Sequence, residues 1–109
     1  MEKPVVGSIV SAAFPYYNLK GSKRRPVLVL AQVEFGDFIV CQITSKSYSS
    51  QTAIRLESKD FATGGLMIVS YARPDKLFTA DPSIICNEVG RLNSVTTKQI
   101  LQSVQNLFV

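Results

Sequence analysis

A run of five apolar residues at positions 27–31 directly follows Pro26 and constrains the fold more than any other feature of the chain. A segment that is apolar on both faces is typical of a strand in the middle of a sheet, where neighbouring structure covers each face. A proline suits the start of such a strand, because it need not donate a hydrogen bond to the ladder there. The sequence therefore predicts a sheet that is built around this segment.

The residues on either side of this segment also show the pattern of strands and turns. Residues 6–14 are predicted to form a first strand that ends at Pro15. Residues 16–24 are predicted to be a polar, basic loop that contains Gly21. Residues 34–37 supply the next turn, in which Gly36 can adopt a positive φ.

Residues 38–44 are predicted to return as the second strand of that hairpin. Alternation divides their side chains between two faces, with Ile39, Cys41 and Ile43 on one and Val40, Gln42 and Thr44 on the other. Antiparallel pairing about Gly36 brings Thr44 close to Arg25, at the start of the partner strand. Since Arg25 lies 11 residues before Gly36 and Thr44 lies 8 after it, the pattern predicts nearness and not contact.

The middle of the chain is predicted to contain several short strands, at residues 52–57, 66–71, 76–79 and 84–89. Residues 58–65 are predicted to be a turn region with one short helical turn. Pro74 predicts a corner or a sheet edge, because a proline cannot donate to a central ladder.

The last segment is the one predicted helix. Thr96 and Gln99 have the spacing of a capping box, with Val95 and Ile100 placed as a hydrophobic staple. An apolar stripe at helical spacing follows, consisting of Ile100, Leu101, Val104, Leu107 and Phe108. We expect this stripe to pack on the sheet. The residues together predict a mainly β fold, a small and strongly bent β-barrel that is closed by a C-terminal α-helix.

Length and composition limit the possible functions. With 109 residues the chain is expected to form a single domain, over residues 1–109. No segment approaches the roughly 18 consecutive apolar residues of a membrane span, and the start lacks the pattern of a signal peptide. We therefore expect a cytoplasmic protein without membrane contact. The absence of histidine argues against metal hydrolases, Ser-His-Asp hydrolases and nucleases with paired histidines.

The two cysteines, Cys41 and Cys86, lie in no metal-like spacing. In a reducing cytoplasm they are expected to be free thiols, with Cys41 a small residue of the core.

Positive charge is concentrated near the start of the chain. No Asp or Glu occurs between Lys3 and Val33, whereas Lys20, Lys23, Arg24 and Arg25 follow one another closely. One interpretation is a solvated basic loop, as charge clusters often are. The other is a surface that meets phosphates, because contacts to the backbone dominate nucleic-acid affinity.

Several motifs, taken in order, resemble the toxins of the PemK/MazF family. That family has a "G-D-I-V…F-P" strand, a "G…R-P-x-L-V-L" strand and a strand that ends in "I-T-S/T". The corresponding segments here are Gly7-Ser8-Ile9-Val10, Phe14-Pro15, residues 21–30 around Arg25-Pro26, and Cys41-Gln42-Ile43-Thr44-Ser45. Residues 70–79 and 89–92 resemble later blocks of the shorter members. The resemblance runs from about Val6 to Phe108.

The resemblance implies an SH3-like small β-barrel of the MazF/CcdB type, a homodimer and a cognate acidic antitoxin that covers the RNA groove. It also implies cleavage of single-stranded RNA without a metal ion or other cofactor, leaving a 2′,3′-cyclic phosphate and a 5′-hydroxyl. The arginine of the "R-P" motif falls on Arg25 and the threonine that ends the third strand falls on Thr44, which makes them the candidate catalytic residues. Ser8 replaces the usual aspartate, at a position that we expect to be structural.

Further residues are candidates for binding RNA, with aromatic rings stacking on bases and cations meeting phosphates: Tyr16, Tyr17, Lys20, Lys23, Arg24 and Ser45. The alternative is an exposed loop with two tyrosines packed over the barrel rim. For Arg25 the alternative is a strand cap or an ion pair with a nearby acid.

Two functions of other classes stay open at this point. A CcdB-like poison of DNA gyrase would share the fold and act through the end of its C-terminal helix. The sequence favours the nuclease, because residues 105–109 continue the helix stripe and are expected to be used in packing. A non-catalytic nucleic-acid-binding protein is the second alternative.

Overall fold

The computed structural model describes residues 3–15, 21–46 and 51–109. Its strands are β1 (Ser8–Pro15), β2 (Ser22–Gln32), β3 (Phe38–Thr44), β4 (Ile54–Leu56), β5 (Phe61–Gly64), β6 (Ser70–Ala80) and β7 (Ile85–Leu92). One helix, α1 (Ser94–Asn106), follows them, and three short 3₁₀ turns lie at Glu34–Gly36, Ser58–Asp60 and Pro82–Ile84. The mainly β fold with a C-terminal helix is confirmed.

All seven strands belong to one antiparallel sheet with the order β4-β6-β3-β2-β1-β7-β5. The sheet curls into a half-barrel, and α1 packs against β6. Strand β2 is the fourth of the seven, which confirms its predicted central place.

None of the helical segments within the described residues has the length and apolar character of a membrane span.

The sheet has a buried cluster on each face, and β2 contributes to both. The first cluster consists of Ile9, Leu28, Leu30, Cys41, Ile43, Leu56, Ala72, Leu92 and Ile100. The second consists of Val10, Ala12, Val27, Val29, Phe38, Val40 and Ala80. Neighbouring residues of β2 thus face opposite clusters, as strand alternation requires. Strand β3 has the predicted bounds, and its division between the two faces is confirmed for Cys41 and Ile43 against Val40.

Strand β2 begins earlier than the sequence predicted. Lys23, Arg24 and Arg25 lie within it and pair with β1, opposite Phe14, Ala13 and Ala12. The expected loop, residues 16–24, is therefore wrong for Lys23 and Arg24. Pro26 lies opposite Ser11 of β1, and the ladder to β3 begins only at Val27, so no partner on the β3 side requires the N–H that proline lacks. Pairing with β1 on that side is sufficient to extend the strand.

The strand predicted at residues 66–71 is also wrong at its start. Strand β6 begins at Ser70, and Met67, Ile68 and Val69 are exposed. Pro74 does not end β6 either, because the register shifts between Cys41 opposite Leu77 and Gln42 opposite Arg73. This bulge leaves residues 74–76 outside the ladder, where a proline costs no hydrogen bond.

The start of α1 differs from the predicted capping box. Asn93 is the N-cap, and its side-chain oxygen accepts a hydrogen bond from the Thr96 N–H at 2.8 Å. The Thr96 hydroxyl is buried and donates instead to the Asp60 carboxylate at 2.8 Å. Val95 is 76% exposed, so the predicted staple is wrong. The N-cap is thus Asn93, directly before the helix, and not Thr96. Thr96 is instead held inward by Asp60, a residue that is distant in sequence.

The apolar stripe of α1 packs only in part. Ile100 is fully buried, and Leu101 and Val104 are half-buried against the first cluster. Leu107 and Phe108 lie beyond the end of the helix, and Phe108 is 77% exposed. The expectation that the tail is used in packing is wrong, because the helix ends at Asn106 and the chain leaves the sheet there.

Two smaller expectations concern Ser8 and the turn at Gly36. Ser8 is completely buried, and its hydroxyl accepts a hydrogen bond from the Val5 N–H at 3.0 Å, which is a structural role. Gly36 has the predicted positive φ, at 76°. Phe35 beside it also has a positive φ, at 63°, and its side chain is exposed.

We expect Asn93→Ala to lower the free energy of unfolding by about 1 kcal/mol, because it removes the oxygen that satisfies a free N–H of the first helical turn. Urea denaturation measures the change. Ser94→Ala, at the exposed neighbouring position, is the matched control and should stay within about 0.5 kcal/mol of the wild type. Equal losses in the two variants would contradict the capping role.

Both cysteines are free, as expected, and Cys41 is completely buried. Burial raises the pKa of the Cys41 thiol to about 12. Because the thiolate is the reactive form, iodoacetamide at pH 8 should modify the half-buried Cys86 in the native protein and leave Cys41 intact. Mass spectrometry of the labelled peptides, with a urea-unfolded sample as the control, measures this. Equal labelling rates in the native protein would contradict it.

Candidate nucleic-acid interface

A groove of about 400 Å³ lies where the start of β2, the end of β3 and the segment before β6 meet. It is lined by Lys23, Arg24, Arg25, Pro26, Ile43, Thr44, Ser45, Lys46, Leu66, Met67, Ile68 and Ser70. The hairpin of β2 and β3 supplies the residues from both motifs that the sequence singled out. We call this the cationic groove.

Arg25 and Thr44 lie close together in this groove. The ladder between β2 and β3 pairs Val27 with Gln42, and the same register continued by two residues sets Arg25 opposite Thr44. Both side chains then share the face of Val27 and Gln42, since alternate residues point to the same side. Arg25 lies further from Gly36 along the chain than Thr44 does for two structural reasons. Strand β2 has an irregularity between Val29 and Ala31, and the turn is centred nearer Phe35.

The charge of the groove is unbalanced. Its four cations are Lys23, Arg24, Arg25 and Lys46, all exposed, and no acidic residue lines it among the described residues. The ion pairs that form in residues 3–15, 21–46 and 51–109 are Arg55–Glu57, Lys59–Glu57, Arg73–Asp75 and Arg91–Glu88. These pairs engage Glu57, Asp75 and Glu88, and Arg25 forms no ion pair with any acid of the described residues.

Thr44 organises the turn that follows β3. Its hydroxyl oxygen accepts a hydrogen bond from the backbone N–H of Lys46 at 3.2 Å. A hydroxyl group can donate its own proton at the same time, so Thr44 keeps a donor for a ligand. The bond also fixes Ser45 and Lys46 at the rim of the groove.

The structure brings together only part of the predicted set. Lys23, Arg24 and Ser45 line the groove with Arg25 and Thr44. Tyr16, Tyr17 and Lys20 lie outside the described residues. Sequence reasoning missed Lys46 and the apolar wall formed by Leu66, Met67 and Ile68. The position of Lys46 two residues after Thr44 could have indicated it, whereas the apolar wall comes from a segment that had been predicted as a strand.

The described ranges contain no group of three or more His, Cys, Asp or Glu side chains that could hold a metal ion. A larger depression, of about 670 Å³, lies away from the cationic groove between β4 and α1. Its charges are balanced, with Arg55 and Lys59 beside Glu57 and Asp60. Neither its charge nor its residues resemble those of the cationic groove.

Solved structures share this fold over nearly the whole chain. The MazE–MazF complex (Form-II) of Deinococcus radiodurans matches with a TM-score of 0.79 at 17% identity, covering 99% of this chain and 97% of that one. An endoribonuclease of a mycobacterial species, in complex with its cognate antitoxin, matches with a TM-score of 0.71 at 17% identity, covering 99% and 95%. The Mycobacterium tuberculosis toxin MazF-mt6 matches with a TM-score of 0.71 at 19% identity, covering 93% and 95%.

No curated protein sequence matches the chain. The family model described as PemK-like, MazF-like toxin of type II toxin–antitoxin system matches residues 6–108, which is almost the entire length. The order of the motifs, the curled sheet with its C-terminal helix and this match agree with one another. The chain belongs to the PemK-like, MazF-like toxin family of type II toxin–antitoxin systems.

Proposed function

We propose that this protein is a metal-independent endoribonuclease toxin, which cleaves single-stranded RNA in the cytoplasm and is neutralised by a cognate antitoxin. The observation that carries the proposal is that Arg25 and Thr44 line the same groove, which contains four cations and, in its described part, no acid. Similar folds that are endoribonucleases, one of them in complex with its antitoxin, support the same conclusion.

The substrate supplies its own nucleophile in the proposed reaction. The 2′-OH of one nucleotide attacks the adjacent phosphorus, and the bond from phosphorus to the 5′-oxygen of the next nucleotide breaks. The products are a 2′,3′-cyclic phosphate and a 5′-hydroxyl. Negative charge grows on the non-bridging oxygens, and the guanidinium of Arg25 stabilises it with two parallel hydrogen bonds.

Thr44 orients the scissile phosphate or the attacking hydroxyl through its remaining donor. Lys23, Arg24 and Lys46 bind neighbouring phosphates, and Ser45 donates to the same chain. Tyr16, Tyr17 and Lys20 extend this surface by stacking on bases and meeting phosphates. Catalysis thus depends on residues from two paired strands, which hold their groups in fixed positions.

Proton transfer in this reaction is assigned to water. The sequence has no histidine, and the described lining of the groove contains no carboxylate. Arg25 is a poor base because a guanidinium keeps its proton at any physiological pH. Water therefore takes the proton of the 2′-OH and returns one to the leaving 5′-oxygen, while positioning and charge stabilisation lower the barrier.

An acidic antitoxin fits the same groove. Carboxylates can occupy the places of phosphates beside Lys23, Arg24, Arg25 and Lys46, so an acidic peptide would exclude RNA by direct competition. The apolar wall of Leu66, Met67 and Ile68 offers such a peptide an additional contact that a bare phosphate chain cannot use.

We further propose that the toxin acts as a homodimer.

We expect Arg25→Ala to lower the rate of RNA cleavage by about 10²–10³, because it removes a donor that stabilises the transition state. The measurement is cleavage of a long unstructured RNA in EDTA, with the chemical nature of the new ends determined. Arg25→Lys keeps the charge but loses the paired geometry, so it should recover only part of the rate. Lys98→Ala, on the exposed side of α1, is the control that should cleave like the wild type.

Cleavage by the wild type that stops in EDTA would contradict the metal-independent mechanism, and cleavage by Arg25→Ala at the wild-type rate would contradict the assigned site. A wild type that cuts no RNA would favour the CcdB-like alternative. That alternative has one observation behind it, the exposed apolar residues Leu107, Phe108 and Val109 at the end of the chain. Inhibition of DNA supercoiling by gyrase then tests it.

We expect Lys46→Gln to weaken binding of non-cleavable single-stranded RNA equally for all sequences. It should also reduce the slope of log K against log salt by about 0.7, because one fewer phosphate contact releases fewer counterions. Affinities measured at several salt concentrations give the slope. Lys98→Gln serves as the charge-matched control. An unchanged slope for Lys46→Gln would remove Lys46 from the interface.

A further inference from the structure

A second recess, of about 320 Å³, lies beside the cationic groove and shares Arg25 with it. The other residues that the argument uses are Phe14 of β1, Gln42 of β3, and Lys76 and Phe78 of β6. Its size is at the lower end of the roughly 300–1,000 Å³ of small-ligand sites. Arg25 therefore stands between a surface suited to phosphates and a cavity of a different character.

The walls of the recess are aromatic. The rings of Phe14 and Phe78 meet edge to face, with centroids 5.2 Å apart and an angle of 70° between their planes. Both side chains are half-buried at the margin of the second cluster. An edge-to-face pair covers only part of the ring surfaces, so an aromatic face stays available for stacking by a third planar ring.

The described residues provide no hydrogen-bond or ion-pair partner for the polar groups of the recess. Gln42 is half-buried, and its amide makes no hydrogen bond to any residue in the described ranges. Lys76 is exposed and forms no ion pair with the acids that the structure describes. The amide of Gln42 offers one donor group and one acceptor, whereas Lys76 and Arg25 offer donors only.

We propose that this recess is a subsite for one nucleobase of the RNA whose phosphate lies at Arg25, and that it selects a base with a carbonyl oxygen on its major-groove edge, uracil or guanine. The proposal rests on the proposed function. A flat apolar ligand with a polar edge matches both the aromatic walls and the amide of Gln42. The surplus of donors favours the major-groove edge of uracil, with its O4, or of guanine, with its O6 and N7, and opposes the amino groups that adenine and cytosine present on that edge.

The bulge in β6 is what assembles this recess. Because residues 74–76 leave the ladder, the strand resumes with Leu77 opposite Cys41. Lys76 and Phe78 thereby reach the side of β3 that carries Gln42. Without the bulge, the register of β6 would change, and Lys76 and Phe78 would lie at different places relative to Gln42.

The experiment measures binding without cleavage. The probes are four five-nucleotide 2′-O-methyl RNAs that are abasic except for a central uracil, guanine, adenine or cytosine, and the dissociation constants come from NMR titration. We expect the wild type to bind the uracil and guanine probes about tenfold more tightly than the other two. Gln42→Ala should abolish this preference, and Gln42→Glu should move it toward the bases that carry amino groups. Gln105→Ala on α1 is the matched control.

Phe78→Leu keeps an apolar side chain but removes the stacking face, so it should weaken binding of all four probes about fivefold or more. Phe35→Leu, at the exposed turn, is its control, and thermal unfolding of each variant confirms that it is folded. Equal affinity of the wild type for the four probes would overturn the proposal, as would a preference that both Gln42 variants retain.

These results are independent of the proposed reaction. A wild type that discriminates among the probes but cuts no RNA would sink the nuclease proposal and leave the base subsite standing. A wild type that cuts RNA in EDTA but binds all four probes equally would overturn the base subsite and leave the nuclease proposal standing.

Discussion

The burial of β2 on both faces is the constraint on which the rest of the structure depends. Its side chains enter one cluster through Leu28 and Leu30 and the other through Val27 and Val29. Each such burial contributes about 1.5–3 kcal/mol, and the strand is paired on both edges. A slip by one residue would move Arg25 to the opposite face. The same burial that stabilises the sheet therefore fixes the direction of a charged side chain at its end.

The distribution of charge follows from this arrangement. Four cations converge at the end of the β2–β3 hairpin, while the described acids that form ion pairs do so elsewhere on the surface. Repulsion among these cations works against folding and is relieved by any polyanion that binds. RNA and an acidic antitoxin are alike in this respect, so one surface can serve both the proposed substrate and its proposed inhibitor. Antagonism between them needs no conformational change.

Irregularities of the strands shape what surrounds Arg25. The bulge in β6 carries Lys76 and Phe78 toward Gln42, and the segment before β6 places Leu66 and Met67 on the other recess. Arg25 borders both, so the groove proposed to bind phosphates adjoins the recess proposed to bind a base. Arg25 belongs to β2, but residues of β3 and β6 also form its surroundings.

The sequence by itself determined the central strand, the bounds of β3, the C-terminal helix and the nearness of Arg25 to Thr44, because local alternation and a tight turn fix these features. The resemblance to the family added the interpretation of that pair as a catalytic site. Only the tertiary structure decided where β2 and β6 begin, how Pro74 is accommodated, and that Asn93 caps the helix while Asp60 holds Thr96. These outcomes depend on partners distant in the chain. The alternation of apolar and polar residues is a property of neighbours in sequence. Pairing across a sheet depends instead on residues that are distant in sequence and adjacent in space.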